Sequence, residues 1–287
     1  MALTTGAGVV WGTSFVAITI GLHYANPYLL LFERFLVAGA VVVVIGASRK
    51  STRVWSELRK PWVWAVGVVY TSAFLSQFVG QDLAGASLSS LLSNLFVVFT
   101  PIVAYFVLKE RPNRGATAGV VMGIVGVLLV YSSSLGSGGT AAGDFLLICS
   151  ALGYTTFIVL SKKLDISSLS SSFALIVVMA VESAPVALAG GPISAASFVQ
   201  PEALGALLWL GVPCTVAALA MYTRGLSYTG ASQSAVLLLI EIIVGVGLSY
   251  VFLGETLTPV QWLGAAVIGL SILASSVEAL GNRRGKA

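Results

Sequence analysis

Residues Gly85 to Glu110 read GASLSSLLSNLFVVFTPIVAYFVLKE, and residues Gly230 to Glu255 read GASQSAVLLLIEIIVGVGLSYVFLGE. Each is an apolar run of helical length that opens on small residues and closes on an acid. The two lie a constant 145 positions apart, 230 against 85 and 255 against 110. Gly85-Ala86-Ser87 match Gly230-Ala231-Ser232, Tyr105 matches Tyr250, and Leu108 matches Leu253. The register extends outward, with Trp64 against Trp209, Ala73 against Ala218 and Gly119 against Gly264. One offset held over about 65 residues argues for an internal duplication.

The 287 residues are 57% hydrophobic and only 9% charged, with a mean hydropathy of +0.97. Soluble domains carry roughly 25% charged residues. This chain has too little polar surface for a water-soluble globule. Its apolar runs are continuous and about 20 residues long, the length of a spanning helix. A membrane barrel would alternate polarity with period two. Cys149 and Cys214 both fall inside apolar runs, as small core residues rather than a disulfide. The first apolar run has no basic segment before it and no processing site after it, so it is expected to be retained.

Ten spans are expected, near 4–22, 27–47, 61–80, 85–108, 113–132, 143–162, 169–189, 203–223, 230–253 and 258–279. The connections are short, and Gly, Pro, Asn or charge marks most of them. With the N-terminus inside, the inner loops hold Arg49, Lys50, Arg53, Arg59, Lys60, Lys109, Arg111, Arg114, Lys162, Lys163, Arg224, Arg283, Arg284 and Lys286. That is fourteen of the fifteen Lys and Arg; the other, Arg34, lies within a span. The asymmetry sets both termini in the cytoplasm by the positive-inside rule. The net charge of +4 is therefore a topology signal and not a nucleic-acid footprint. The fold class expected is an all-α integral membrane protein with ten transmembrane helices as two inverted five-helix repeats. They form one membrane domain, 1–132 and 133–287. Five is odd, so the second half enters the bilayer upside down, and a site is expected near the midplane between the halves.

Ionisable residues inside spans are costly and tend to be functional. Glu33 and Arg34 lie in helix two, Glu182 in helix seven and Glu241 in helix nine. Glu241 is nearest the centre of its span, within LLLIEIIVGV, and its counterpart in the first half is Phe96. It is the leading candidate for binding and releasing a proton, with Glu182 and Glu33 behind it. The alternative is a neutral carboxyl bonded to a neighbouring helix. Arg34 is read as a structural anchor. Tyr70, Phe74, Gln77 and Gln81 are spaced by four, three and four residues, so they share one face of helix three. Ser87, Ser90 and Asn94 make a similar stripe on helix four. Trp11 and Ser14 on helix one, Tyr154 and Phe157 on helix six, and Tyr222 on helix eight can face the same space. Such a mixture of amides and aromatics suits a cavity for a partly apolar, partly polar solute; the alternative is hydrogen bonding between helices. Gly115, Gly119, Gly123 and Gly126 let helix five approach a neighbour closely, within a monomer or, as the minor reading, in a dimer. Pro101 and Pro213 are expected to kink helices four and eight.

Trp11-Gly12-Thr13-Ser14-Phe15, Arg34-Phe35, Pro101 with Glu110, Gly254-Glu255 and the glycine-rich helices five and ten resemble the EamA-type family of the drug/metabolite transporter superfamily. The likeness covers nearly the whole chain. Pro101 corresponds to Val246, so helix nine departs from exact symmetry with helix four. The resemblance implies a secondary carrier for small metabolites, amino acids or related compounds, with export the usual direction. It also implies a central cavity lined by helices 1, 3, 4, 6, 8 and 9, with helices 5 and 10 peripheral.

The composition and motifs disfavour other classes. His23 is the only histidine and sits at an outer helix end, so no His-based hydrolase or His-x-x-x-His zinc site is available. No Gly-x-x-x-x-Gly-Lys-Ser/Thr loop is present, so gradient-driven transport is expected, with no cofactor, no metal and no enzyme activity. The partners expected are a small-molecule solute and the lipid bilayer of a prokaryotic plasma membrane, and no nucleic acid. A receptor or scaffold, or an antiporter of the nucleotide-sugar kind on the same fold, are the alternatives.

Overall fold

Proline and small residues set where the helices begin. In a computed structural model of the protein, residues 1–48, 52–110, 114–134, 140–166, 168–191, 195–254 and 258–284 are described, and they contain no strand. The long helices are α1 (Ala2–Leu22), α2 (Pro27–Ser48), α3 (Pro61–Ala84), α4 (Ala86–Leu108), α5 (Arg114–Ser134), α6 (Ala141–Lys163), α7 (Leu169–Ala189), α8 (Pro201–Leu226), α9 (Ala231–Leu253) and α10 (Pro259–Arg284). Short helices Thr52–Glu57 and Ala196–Val199 sit in two connections. α2, α3, α8 and α10 start on proline, whose missing N–H costs nothing in the first turn. Thr140 and Ser168 cap α6 and α7, their hydroxyls accepting from Gly143 N and Ser171 N at 3.1 and 3.0 Å.

Eight of these helices are long and apolar enough to cross a membrane. In α5 and α10 the apolar stretch is shorter, Thr117–Gly126 and Trp262–Ser271. α5 and α10 pack mainly on each other, α3 packs on α6, α2 on α7, and α1 on α8 and α9. Gly126 of α5 makes that first contact tight: a Cβ there would lie 3.0 Å from Gly264 O and 3.1 Å from Ile268 N. Gly123 and Gly126 are thus used for packing within the chain. Of the residues read as inner-loop charges, Arg49, Lys50, Arg111 and Lys286 lie outside the described residues, as does Glu255.

The helices bend at matched places. α4 runs as Ala86–Leu92, a tighter turn at Ser93–Leu95, then Phe96–Leu108. α9 runs as Ala231–Leu238 and Ile240–Leu253, interrupted at Leu239, the counterpart of Asn94 at the offset of 145. Both end on a left-handed residue at the same register, Lys109 (φ 56°) and Gly254 (φ 69°). Pro101, expected to kink α4, sits inside the continuous helix Phe96–Leu108, and the interruption of α4 lies earlier, at Ser93–Leu95. The break has another cause. Asn94 Nδ2 donates to Ser90 O at 2.7 Å, taking the carbonyl that its own backbone N–H would use.

Pro213 does open α8, which widens into a π turn over Val212–Ala217. A π turn frees backbone groups that need new partners. Trp11 Nε1 donates to Cys214 O at 2.8 Å, and Arg34 Nη2 to the same oxygen at 3.1 Å. Arg34 Nε donates to Thr215 Oγ1 at 2.8 Å, and Thr215 Oγ1 in turn to Leu210 O at 2.8 Å. The guanidinium also lies over Phe74, 4.6 Å from its ring centroid. Arg34, read as an anchor, is fully buried and ties α2 to α8.

At one end of the bundle, Lys162 Nζ donates to Leu226 O and Thr229 O at 3.0 and 2.8 Å. Ala231 N donates to Glu110 Oε2 at 2.9 Å. The turn between α8 and α9 is thus held by the last residues of α4 and α6.

Two stability predictions follow from these contacts. Arg34→Lys keeps the charge and loses the planar fork, and each hydrogen bond to a charged group is worth about 1.5–3 kcal/mol. We expect it to lower the melting temperature of detergent-purified protein by more than Thr215→Val does; equal melting of Arg34→Lys and the parent refutes the anchor. Gly126→Val overfills a backbone contact and is expected to cost about 1–3 kcal/mol. Gly247→Ala, where no atom lies within 4 Å of the new methyl, serves as the neutral comparison in the same melting series.

Candidate functional site

The interruptions of α4 and α9 face one another across a central space, which α8 reaches with Tyr222, beyond its π turn. The enclosed volume of this space is about 40 Å³. Its wall is Trp11 and Ser14 from α1; Tyr70, Phe74 and Gln77 from α3; and Ser93, Asn94 and Phe96 from α4. Tyr154, Phe157 and Ile158 of α6, Tyr222 of α8, and Leu238 and Glu241 of α9 complete it. A helix break is what brings side chains from its turn toward a cavity and leaves its backbone groups to be satisfied locally.

The aromatic wall is continuous. Tyr70 stacks on Phe157 with ring centroids 3.6 Å apart and planes 3° from parallel. Tyr154 meets Phe74 edge-on at 5.5 Å and Tyr70 at 5.9 Å. Trp11 tilts against Tyr222 at 5.3 Å. Trp11 is fixed twice, by its bond to Cys214 O and by the neighbouring Gly12, where a Cβ would meet Glu241 O at 2.8 Å. That close approach of α1 to α9 also fixes the backbone that carries Glu241.

Polar groups interrupt the rings at a few points. Tyr154 Oη donates to Gln77 Oε1. Asn94 spends its amide N–H on Ser90 O, while its Oδ1 has no partner among the described residues. Tyr222 Oη is likewise buried without a partner. Glu241 is partly exposed to the cavity, makes no hydrogen bond among the described residues, and is within electrostatic range of Arg34. No basic side chain belongs to the lining.

The structure thus brings together Trp11, Ser14, Tyr70, Phe74, Gln77, Asn94, Tyr154, Phe157, Tyr222 and Glu241. It sets three other expected residues apart. Gln81 shares a face with Gln77 but lies one turn further along α3, and its Nε2 donates to Phe15 O at 2.7 Å and Thr19 Oγ1 at 3.0 Å. Glu182 is held between α7 and α3, accepting from Thr71 Oγ1 at 3.3 Å, with Gly67 giving it room. Glu33 sits buried beside Ser197 of a short connecting helix. None of the three reaches the central space.

Ser93, Phe96, Ile158 and Leu238 line the cavity without having been singled out from the sequence. A signal for three of them was present. Ser93 pairs with Leu238, Phe96 with Glu241 and Gln77 with Tyr222 at the offset of 145, so both members of each pair face the same space. Trp11 with Tyr154 and Ser14 with Phe157 do so at an offset of 143. Among the described residues, no three His, Cys, Asp or Glu side chains come together as metal ligands would.

Comparison with known proteins places this geometry. The profile of the EamA-like transporter family matches residues 1–132 and 141–277. A probable amino-acid metabolite efflux pump of Salmonella typhimurium is 29% identical, with 91% of this chain and 89% of that protein covered. One of the same description from Escherichia coli is 27% identical over the same shares. A solved crystal structure superposes with a TM-score of 0.77 over 97% of each chain at 19% identity, which establishes a shared fold. The helices apolar enough to cross a membrane, the enclosed central space and the profile match over both halves lead to one assignment: the chain belongs to the EamA-like transporter family, and is a multi-pass membrane transporter rather than an enzyme.

Proposed function

We propose that the chain is a secondary carrier that exports small amino-acid-related metabolites across the plasma membrane by alternating access. The observation that carries this reading is the central cavity, where the interruptions of α4 and α9 meet and rings alternate with amides. Polar side chains at that depth need water or a partner, and a solute supplies one. The two relatives described as probable amino-acid metabolite efflux pumps supply the solute class and the direction.

In this reading ten helices span the bilayer as two inverted five-helix repeats, 1–132 and 133–287, in a monomer with both termini cytoplasmic. The helix pairings support it. Exchanging each helix for the one five places away turns the α3–α6 contact into α8–α1 and α4–α6 into α9–α1. The α2–α7 and α5–α10 contacts map onto themselves. The matched bends of α4 and α9 and their matched left-handed ends support it also. Halves related in this way can exchange conformations, which opens the site to one side and then the other. Among the candidate coupling acids, Glu241 is the one on the cavity wall, and we assign proton coupling to it rather than to Glu182 or Glu33.

Purified protein in liposomes is expected to catalyse counterflow of a labelled amino acid. Gln77→Ala removes a hydrogen-bonding amide worth about 1 kcal/mol, so counterflow should fall by roughly five- to tenfold at unchanged folded yield. Full activity of the variant with a lowered yield instead makes Gln77 a packing residue. In vesicles made acidic inside, the parent is expected to accumulate solute as protons leave, and Glu241→Gln to show no such drive. Accumulation of equal size in both removes Glu241 from coupling. A cysteine placed at Ser227, in the α8–α9 turn, is expected to resist an impermeant reagent applied to intact cells; labelling there reverses the topology.

A further inference from the structure

The cavity wall offers a solute hydrogen-bond acceptors and ring faces, and it lacks a cation. Glu241 is the only ionisable acid on it and makes no hydrogen bond among the described residues. Asn94 Oδ1 and Tyr222 Oη, on residues 0% and 1% exposed, are also without partners. Asn94 cannot turn its amide to satisfy itself, because its N–H is committed to Ser90 O. Three residues with unpartnered oxygens, Asn94 on α4, Tyr222 on α8 and Glu241 on α9, line one enclosed space. Trp11, locked by its indole N–H on Cys214 O, adds a ring to that same wall.

The nearest cation does not balance this set. Arg34 is outside the lining, and its Nε and Nη2 donate to Thr215 and Cys214 O. Its guanidinium is stacked over Phe74. Its Nη1 is buried without a partner among the described residues, and its charge tempers that of Glu241 from behind the wall. An anionic group entering here would meet a carboxylate and ring faces, which repel it, and only neutral donors, the Gln77 amide and the Tyr222 hydroxyl, to set against them. A primary ammonium has three donors and a full positive charge, and matches what is on offer.

We propose that the cavity recognises its solute through a protonated amino group, with the ammonium held by the Glu241 carboxylate, Asn94 Oδ1 and Tyr222 Oη beside the Trp11 ring. This rests on the transport reading for its biological sense and on the geometry of the wall for its chemistry. An amino acid is then bound by its amine and apolar side chain, and its carboxylate contributes nothing favourable. Solutes related to amino acids but lacking the carboxylate are accepted at least as well, and those with a blocked amine are refused.

The test is a binding titration on the full-length, detergent-purified protein, followed by its tryptophan fluorescence, with phenylethylamine, phenylalanine and N-acetylphenylalanine as probes. The expected order is phenylethylamine at least as tight as phenylalanine, and N-acetylphenylalanine at least tenfold weaker. Glu241→Gln preserves shape and is expected to weaken both amines by tenfold or more. Tyr222→Phe, which removes one acceptor and leaves the ring, should weaken them about threefold and keeps the test available if the first variant is poorly folded. The proposal is overturned if N-acetylphenylalanine binds as tightly as phenylalanine. It is overturned also if phenylalanine beats phenylethylamine tenfold, if folded Glu241→Gln binds amines like the parent, or if neither amine binds. Counterflow of the bound amine, run in parallel, separates the two readings: an amine that binds in this order but never crosses the membrane refutes the transport cycle and leaves the site standing.

Discussion

Arg34 donating to the carbonyl oxygen of Cys214 is the interaction on which the centre of this bundle depends. Pro213 cannot continue α8 as a regular helix, and the π turn it forces leaves a carbonyl without its usual donor. In the middle of a membrane protein no water is at hand to take that place, so the group must be met by protein. Arg34 and Trp11 both meet it. A charged group so deeply buried is costly unless its own donors are occupied and its charge is spread. Here the Thr215 hydroxyl and the backbone oxygen take Nε and Nη2 and the face of Phe74 spreads the charge, while Nη1 has no partner and no acid makes ion-pair contact among the described residues. One break in one helix thereby fixes the relative positions of α1, α2, α3 and α8.

The candidate site inherits its shape from that arrangement. Trp11 and Phe74, two of the rings that touch the Arg34 and Cys214 network, are also cavity-lining residues. The remaining rings are held by contacts with one another, as in the Tyr70–Phe157 stack. The polar groups on the wall are held from behind: Asn94 by Ser90, and Glu241 by the close passage of Gly12. The site is therefore largely formed before a solute arrives, and its binding energy need not be used to order side chains.

Much of this was legible in the sequence, and the reasons for the rest are physical. Hydropathy and charge marked the helices, because apolar length and basic flanks are direct requirements of a bilayer. The face of α3 was legible from spacing, but periodicity gives direction and not depth. Gln77 and Gln81 point the same way, and only the crossing of α1 over α3 decides that Gln81 is consumed by Phe15 and Thr19. Pro213 announced the bend in α8. In α4 the interruption comes before Pro101, where the Asn94 side chain competes for the Ser90 carbonyl. Glu182 and Glu33 looked like Glu241 in the sequence, since an acid in an apolar run is costly wherever it lies. The packing of α3 on α7 and the short helix at Ser197 gave those two acids polar side-chain neighbours, and left Glu241 only the charge of Arg34 at a distance.

The clasp at the α8–α9 turn has a different character from the knot at Cys214. Lys162 and Glu110 end their helices, so the three hydrogen bonds they make to the turn lie at the rim of the bundle. When such a rim parts, water can replace each lost bond, and the net cost is about 0.5–1.5 kcal/mol apiece. The bonds to Cys214 have no such substitute. The same chain thus carries a hard pivot where solvent is absent and a soft fastener where solvent is near. Its cheapest large movement is one that turns about the first and undoes the second.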